Sequence, residues 1–308
     1  MRLLLIRHGE TVHNVAGVYA GITDSALTNH GVLQAERLGA HLAATDVKVP
    51  HIFSSDLQRA ANTAEAIRVA QSTVPQEVMR LPLLREQDFG FYEGKTFAER
   101  PRDPSGRDAR AAAHSNDPGF RDVESKVSMA LRMDTFVDAH LLPLLAEVRD
   151  EQSVVVVAHG IILNYLWRAI LKRFPIGNIA VAAAADRGMP LEYLGSWSNT
   201  GVLDLEIKQK AAVAVPIQEK VATVLPLALL SAAERGPSEL SAQTISTTSS
   251  SVGCAPHPML PDMSLVVKAV NSLEHLNGLR KTRGGIGSSK HDPSQKTMDS
   301  FFKKKGSS

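Results

Sequence analysis

The chain has 308 residues, 44% of them hydrophobic, with 34 Lys and Arg against 32 Asp and Glu for a net charge of +2. That length is enough for a substantial core, and a single cysteine, Cys254, excludes an internal disulfide framework. No apolar run is long enough to span a bilayer, and Leu3–Ile6 is too short for the apolar part of a secretion signal, so a soluble intracellular protein, cytoplasmic or nuclear, is expected.

The first element is a strand at Leu3–Ile6, a continuous apolar run that stops abruptly at Arg7-His8-Gly9-Glu10. A helix follows Thr28, a natural N-cap, with Val32, Ala35, Leu38 and Leu42 on one stripe. His51–Ser54 reads as a second buried strand, followed by the helical stretch SSDLQRAANTAEAIRVA, which Ser55 or Asp56 is placed to cap. Asp122–Val148 reads as a long amphipathic helix with a break at Pro143. Val154–Ala158 is a third buried strand, with helix continuing over Tyr165–Leu171. Strands alternating with helices predict an α/β fold, a three-layer sandwich with a mostly parallel central sheet.

Thr200–Ile207 alternates as a half-exposed strand does. Residues 209–262 are rich in Ala, Pro and Ser and include TISTTSSS, which predicts a disordered low-complexity insertion. Leu265–Asn271 (LVVKAVN) spells a strand by its valines, although Leu265, Ala269, Leu273 and Leu276 also suit a helix. A strand is preferred, paired with Thr200–Ile207. The expected division is a catalytic core over 1–208, the insertion over 209–262, a returning strand within 263–279 and a flexible basic tail over 280–308. From Arg280 onward the chain carries +6, leaving −4 for the remainder, so the tail is expected to have a partner.

Strands of a parallel sheet end on one edge, so residues following them meet in a crevice. His8 and His159 both follow strands, and Arg59 lies in the first turn of the helix after the second strand. Arginine forks bind phosphoryl oxygens bidentately, helix N-termini add N–H donors, and an imidazole can carry the phosphoryl group covalently. A carboxylic acid is needed to protonate the leaving oxygen; Glu86 and Asp88, both in LLREQDFGFYEG, are the candidates. A histidine at a strand end is most often a surface residue, but two together with two arginines make that reading the weaker one.

The segments LLLIRHGETVHN, GITDSALTNHGVLQAERLG, SSDLQRAANTA, LREQDFGFYEG, DVES and VVVVAHGIIL resemble, in order, the signature of the histidine phosphatase superfamily, the phosphoglycerate-mutase-like fold. The resemblance covers residues 1–170, and more weakly Asn199 and VNSLEHL. It implies His8 as the phosphorylated nucleophile and Glu86 as the proton donor. It also implies Arg7, Arg59 and His159 as phosphate ligands, with Asn14 either a lesser phosphate contact or only a cap for the helix beginning near it. No cofactor and no metal are implied, and the chain has no paired metal-ligand spacing. Mutases of this family carry a longer insertion between the loop acid and the second histidine, so hydrolysis is favoured over a phosphomutase reaction. The segment Thr96–Val123 is expected to help cover the substrate. Its Arg100, Arg102, Arg107, Arg110 and Arg121 either meet a second anionic group or simply form a solvated loop balanced by aspartates.

Near the end, QKTMDSFFKKK sets Gln295, Met298, Phe301 and Phe302 at the spacing Q-x-x-M-x-x-F-F. The pattern is similar to the PIP box, the peptide that docks on the replication sliding clamp, proliferating cell nuclear antigen, as one helical turn. The resemblance implies that Met298, Phe301 and Phe302 fill an apolar pocket, that Gln295 bonds beside it, and that Lys303–Lys305 are drawn to an acidic surface. A latch folding back onto the catalytic domain is the competing reading. A further alternative makes the protein a clamp-associated scaffold with a vestigial catalytic fold. Neither a membrane nor sequence-specific nucleic acid is expected as a partner.

Overall fold

Four consecutive apolar residues alternate between the two faces of a strand, so a sheet covered on both faces buries them all. β1 (Arg2–Arg7) sends Leu3 and Leu5 into one apolar cluster and Leu4 and Ile6 into another. β4 (Gln152–Ala158) repeats the device, with Val154 and Val156 in the first cluster and Val155 and Val157 in the second. Each such side chain contributes roughly 1.5–3 kcal/mol of burial, which makes this strand pair the centre of the core. The computed structural model describes residues 1–45, 47–72, 77–99, 116–147, 152–186, 188, 190–210, 257–280 and 286–294.

In chain order the elements are β1, α1 (Val12–Ala16), α2 (Asn29–Ala44), β2 (Lys48–Ser54), α3 (Gln58–Ala70), β3 (Met79–Arg80), α4 (Lys126–Phe136), α5 (Leu144–Glu147), β4 (Gln152–Ala158), α6 (Gly160–Leu171), β5 (Ile179–Val181), β6 (Val202–Gln209) and β7 (Met263–Ser272). The seven strands form one sheet ordered β3-β2-β4-β1-β6-β7-β5. Only β6 runs against the others, antiparallel to β1 and β7. Leu38 and Leu42 of α2 pack with Ala60, Ala64 and Ile67 of α3 on the Leu4 face. Met129, Met133 and Phe136 of α4 pack with Leu163, Leu166 and Trp167 of α6 on the Leu3 face. The result is a mostly parallel α/β three-layer sandwich.

Register brings the site together. Arg7 of β1 lies opposite Ala158 of β4, so His8 and His159 both leave the sheet at the same level, and His8 N donates to Ala158 O at 3.0 Å. The loop after β1 then runs against the start of α2. A Cβ on Gly9 would lie 2.6 Å from Gly31 O, and one on Gly31 would lie 2.0 Å from the Glu10 carbonyl oxygen, so this approach needs glycine on both sides. Thr28 caps α2, accepting from Gly31 N at 3.0 Å, and its hydroxyl donates to Glu10 at 2.9 Å.

Several local expectations change. The helix expected from Asp122 starts at Lys126, because Ser125 caps it by accepting from Ser128 N and Glu124 is held outside by Arg132 at 2.8 Å. It widens into a π turn at Val137–Leu141 ahead of Pro143. Neither Ser55 nor Asp56 caps α3: its first N–H, that of Gln58, donates to Asp24 at 2.7 Å, while Asp56 pairs with Arg85 at 2.6 Å. β3 and β5, two and three residues long, are too short to leave a sequence pattern.

β7 pairs antiparallel with β6, from Met263 opposite Gln209 to Ser272 opposite Val202. Of the intervening insertion, residues 211–256 lie outside the described residues, while Pro261 O accepts from Asn178 Nδ2 at 2.8 Å. The tail read as free from Arg280 is tied down over part of its length. Asn29 N donates to Ser289 O and His291 N to Leu27 O, both at 3.0 Å, and His291 Nδ1 meets Asn29 Oδ1 at 2.9 Å. Backbone pairing with the start of α2 overrides the low apolar content of this segment. Among the described residues no helix is long and apolar enough to cross a membrane.

Candidate active site

His8 follows β1 and is buried, 4% exposed. Its Nδ1 lies 2.7 Å from Gly9 O. A carbonyl only accepts, so Nδ1 carries the hydrogen and Nε2 keeps its lone pair. Burial, followed by the charges of Arg59 and Arg7, pushes the His8 pKa well below its ordinary 6.5 and holds the ring neutral.

His159, the N-cap of α6, has the opposite tautomer. Arg59 Nε donates to His159 Nδ1 at 3.1 Å, and a guanidinium only donates, so the hydrogen of His159 sits on Nε2. The two imidazole centroids are 5.1 Å apart. Burial, then the Arg59 charge and the neighbouring His8 and Arg7, pushes the His159 pKa well down as well. Its Nε2 is buried without a partner among the described residues, and so is Nε of Arg7, whose Nη1 donates to Trp197 O at 2.6 Å. Burial lowers the Arg7 pKa, and the Glu86 charge offsets part of that.

Arg59 is 2% exposed and is the keystone of the arrangement. Besides His159 it donates from Nη1 to Thr23 O at 2.8 Å and from Nη2 to Gly21 O at 2.6 Å. Burial brings its pKa down to about 10, against the supporting charges of Glu86, Asp24 and Glu93, so it stays cationic near neutrality. The loop that receives it is held by Glu93, which accepts from Ile22 N at 2.8 Å, Thr23 N at 2.9 Å, Phe89 N at 3.1 Å and the Thr23 hydroxyl.

Glu86 and Asp88 are separated by their partners. Glu86 lies at the N-terminus of α6, accepting from Ile161 N and Ile162 N, both at 3.1 Å, and lines the cavity with the histidines. Asp88 turns away and takes Arg121 at 2.9 Å and Gly90 N at 2.7 Å. Arg132 fixes the loop between them and α4, donating to Leu83 O at 2.5 Å, Arg85 O at 3.0 Å and Glu124.

Asn14 has the capping role expected of it as one alternative, and its place in the cavity is compatible with the other, the phosphate contact. Its Oδ1 accepts from Thr11 N at 3.2 Å, closing a capping box on α1, and the residue also lines the cavity. Asn199 Nδ2 bridges Asn14 Oδ1 and His8 O, each at 3.1 Å. Beside it Thr200 adopts φ 57°, a left-handed conformation that is strained for a β-branched residue, and its N–H donates to Arg7 O and His8 O at 3.0 and 3.2 Å. His275 Nε2 meets the Thr200 hydroxyl at 2.9 Å; burial and the nearby His41 bring its pKa to about 4.

Arg7, His8, Asn14, Arg59, Glu86 and His159 thus share one cavity of about 330 Å³. Asn199, Thr200, Glu93 and Trp197 also belong to this centre and were not assigned from sequence. Asn199 and Glu93 lay within motif-like segments, whereas Trp197 left no signal. A larger cavity of about 630 Å³ between α2 and α3 is mainly apolar and holds none of these groups. Among the described residues no group of three or more His, Cys, Asp and Glu side chains is placed to hold a metal ion. Gln295, Met298, Phe301 and Phe302 lie outside the described residues, as do Arg100, Arg102, Arg107 and Arg110.

Comparison with known proteins agrees with the geometry. The chain is 35% identical over 181 residues to a probable phosphatase of Schizosaccharomyces pombe, covering 55% of this chain and 56% of that protein. It is 31% identical over 182 residues to the adenosylcobalamin/alpha-ribazole phosphatase of Salmonella typhimurium, covering 56% of this chain and 80% of that one. The crystal structure of phosphoglycerate mutase from Bacillus anthracis shares the fold, with a TM-score of 0.50 at 21% identity over 67% of this chain and 87% of that one. Residues 3–184, more than half of the chain, match the Histidine phosphatase superfamily (branch 1), and the protein belongs to that family.

Proposed function

We propose that the chain hydrolyses a phosphomonoester through a phosphohistidine on His8. The observation that carries this reading is a pair of buried donors without partners among the described residues, Arg7 Nε and His159 Nε2, in the cavity that holds the free Nε2 of His8. Buried donors normally find acceptors, and a phosphoryl group brings three strong ones.

The reaction then runs in two displacements. Nε2 of His8 attacks phosphorus, an N–P bond forms, and the P–O bond to the alcohol breaks as Glu86 delivers a proton to the departing oxygen. Glu86 next takes a proton from a water whose oxygen attacks phosphorus; the N–P bond breaks and inorganic phosphate leaves. Arg7, Arg59 and His159 hold the phosphoryl oxygens with donors fixed in place before the reaction. Asn14 and Asn199 steady the His8 backbone. The phosphatase names of the two sequence relatives support hydrolysis over phosphoryl transfer between hydroxyls, as does the short segment between Glu86 and His159.

The test is release of phosphate from a generic aryl phosphate with chelator present, beside His8→Ala. Release by the wild type alone is expected. Equal release by the variant removes the mechanism, and exchange between phosphoglycerates without net release makes the protein a mutase.

We also propose that the tail docks on the replication sliding clamp, which would place the protein in the nucleus. The spacing of Gln295, Met298, Phe301 and Phe302 and the adjacent Lys303–Lys305 support this. A clamp-associated scaffold would keep its function after His8→Ala and lose it after Phe301→Ala with Phe302→Ala; an enzyme would do the reverse.

A further inference from the structure

Beyond the phosphate-binding groups, the cavity is walled by aromatic rings. Tyr19, Phe89, Phe97 and Trp197 all line it. Tyr19 packs against Phe89 with centroids 4.5 Å apart, and meets Phe97 edge-on at 4.7 Å. The wall is built into the backbone. Val18 pairs with Thr96, Tyr19 N donates to Lys95 O at 2.9 Å, Gly94 N to Tyr19 O at 2.8 Å, and Phe97 N to Gly17 O at 2.9 Å. Gly17 and Gly94 turn at φ 65° and 78°, where a side chain would be strained. Phe97 remains 46% exposed, a large apolar surface facing the place where a leaving group would sit.

Among the described residues that line the cavity, Arg7 and Arg59 are the only cations, and both belong to the phosphate end. Nearby cations are engaged elsewhere: Lys95 Nζ lies 2.9 Å over the Phe91 ring, Arg121 pairs with Asp88, and Arg132 pairs with Glu124. The remaining polar lining is neutral (Asn14, Asn164 and Ser196), apart from the Glu86 carboxylate. A carboxylate or second phosphate on the leaving group would therefore give up water beside rings and an anion, with no counter-charge among the described residues. An uncharged ring would lie against Tyr19 and Phe97 in offset or edge contact.

We infer that the substrate is a phosphomonoester of an uncharged aromatic or bulky apolar alcohol, with Tyr19 and Phe97 as its specificity-determining wall. The inference rests on the hydrolytic reading of the site. Of the two readings of the arginines between Thr96 and Val123, it favours the solvated loop over a second anionic group on the substrate; Arg100, Arg102, Arg107 and Arg110 lie outside the described residues.

The test compares kcat/KM of the full chain for 1-naphthyl phosphate, phosphoserine and 3-phosphoglycerate. A preference of about 10–100-fold for the naphthyl ester is expected, the range an apolar pocket supplies. Phe97→Ala should lower the ratio of naphthyl to phosphoserine turnover by about 10-fold, and Phe97→Tyr should keep it. Equal or greater turnover of the two anionic substrates overturns the wall and leaves hydrolysis standing. Should no ester be turned over, binding of 1-naphthylphosphonate and phosphonoacetate to His8→Ala by calorimetry decides the wall separately. Tighter naphthyl binding that Phe97→Ala weakens supports it, and equal or weaker binding overturns it.

Discussion

Arg59 Nε donates to His159 Nδ1 at 3.1 Å, and this one bond decides which nitrogen of His159 faces the cavity with a hydrogen. Across from it, the 2.7 Å contact between His8 Nδ1 and Gly9 O decides the reverse for His8. Two chemically identical rings, with centroids 5.1 Å apart, are thereby made different: one presents a lone pair, the other an N–H. Neither ring is charged, because burial beside two arginines disfavours imidazolium in both.

Arg59 is held in turn through Gly21 and Thr23 by Glu93, so Glu93 acts on the site from a distance. Glu93→Gln removes the charge from its bonds to Ile22, Thr23 and Phe89. A stability loss of about 1–3 kcal/mol is expected, with kcat on aryl phosphates also reduced. Urea unfolding beside steady-state rates checks this, and an unchanged midpoint would show that the loop holds itself.

Glu86→Gln retains an acceptor for the α6 N-terminus but has no proton to deliver. Loss of about 10²–10⁴-fold is expected for esters of poorly leaving alcohols. A p-nitrophenyl ester, whose leaving oxygen needs little protonation, should suffer far less. Equal losses on both would assign Glu86 to holding the helix alone.

Protonation sets the pH dependence of stability. His8, His159 and His275, the buried histidines among the described residues, have native pKa values below 6.5, His275 at about 4. Below pH 6.5 the unfolded chain takes up protons that the native chain refuses, so unfolding becomes easier as pH falls, for His275 down to about 4. Each histidine held neutral contributes at most about 1.4 kcal/mol per pH unit in its window. The thermal midpoint should therefore be lower at pH 5 than at pH 7, with a smaller difference in His275→Gln. A midpoint independent of pH over this range contradicts the assignment.

For the tail, a peptide of residues 290–308 should bind the sliding clamp in calorimetry at moderate salt. Binding should vanish when Phe301 and Phe302 are replaced by alanine and weaken as salt screens Lys303–Lys305. No binding by the native peptide would remove the clamp from consideration.

What could be read in advance was local. The apolar runs of β1 and β4 announce strands buried on both faces, and the Thr28 cap with its apolar stripe announces α2. Because chemistry in such folds gathers where parallel strands end, His8, His159 and Arg59 could be picked out by position. The α3 cap could not: Asp24 lies 34 positions before Gln58, and no spacing rule links them. Spacing does not separate Glu86 from Asp88, two positions apart in one loop; only the family resemblance chose Glu86, and α6 and Arg121 are what part the two carboxylates in space.

The amino-acid sequence by itself determined the layered α/β architecture and the residue types at the sheet edge, because hydrophobic period and strand ends are properties of short stretches. Only the tertiary structure decided which nitrogen of each histidine is free, which carboxylate turns inward, and that aromatic rings line the cavity beyond the phosphate end. Those features depend on partners brought close by register and loop packing, from positions as far apart as Arg59 and His159, and their hydrogen bonds exist only once the chain has closed.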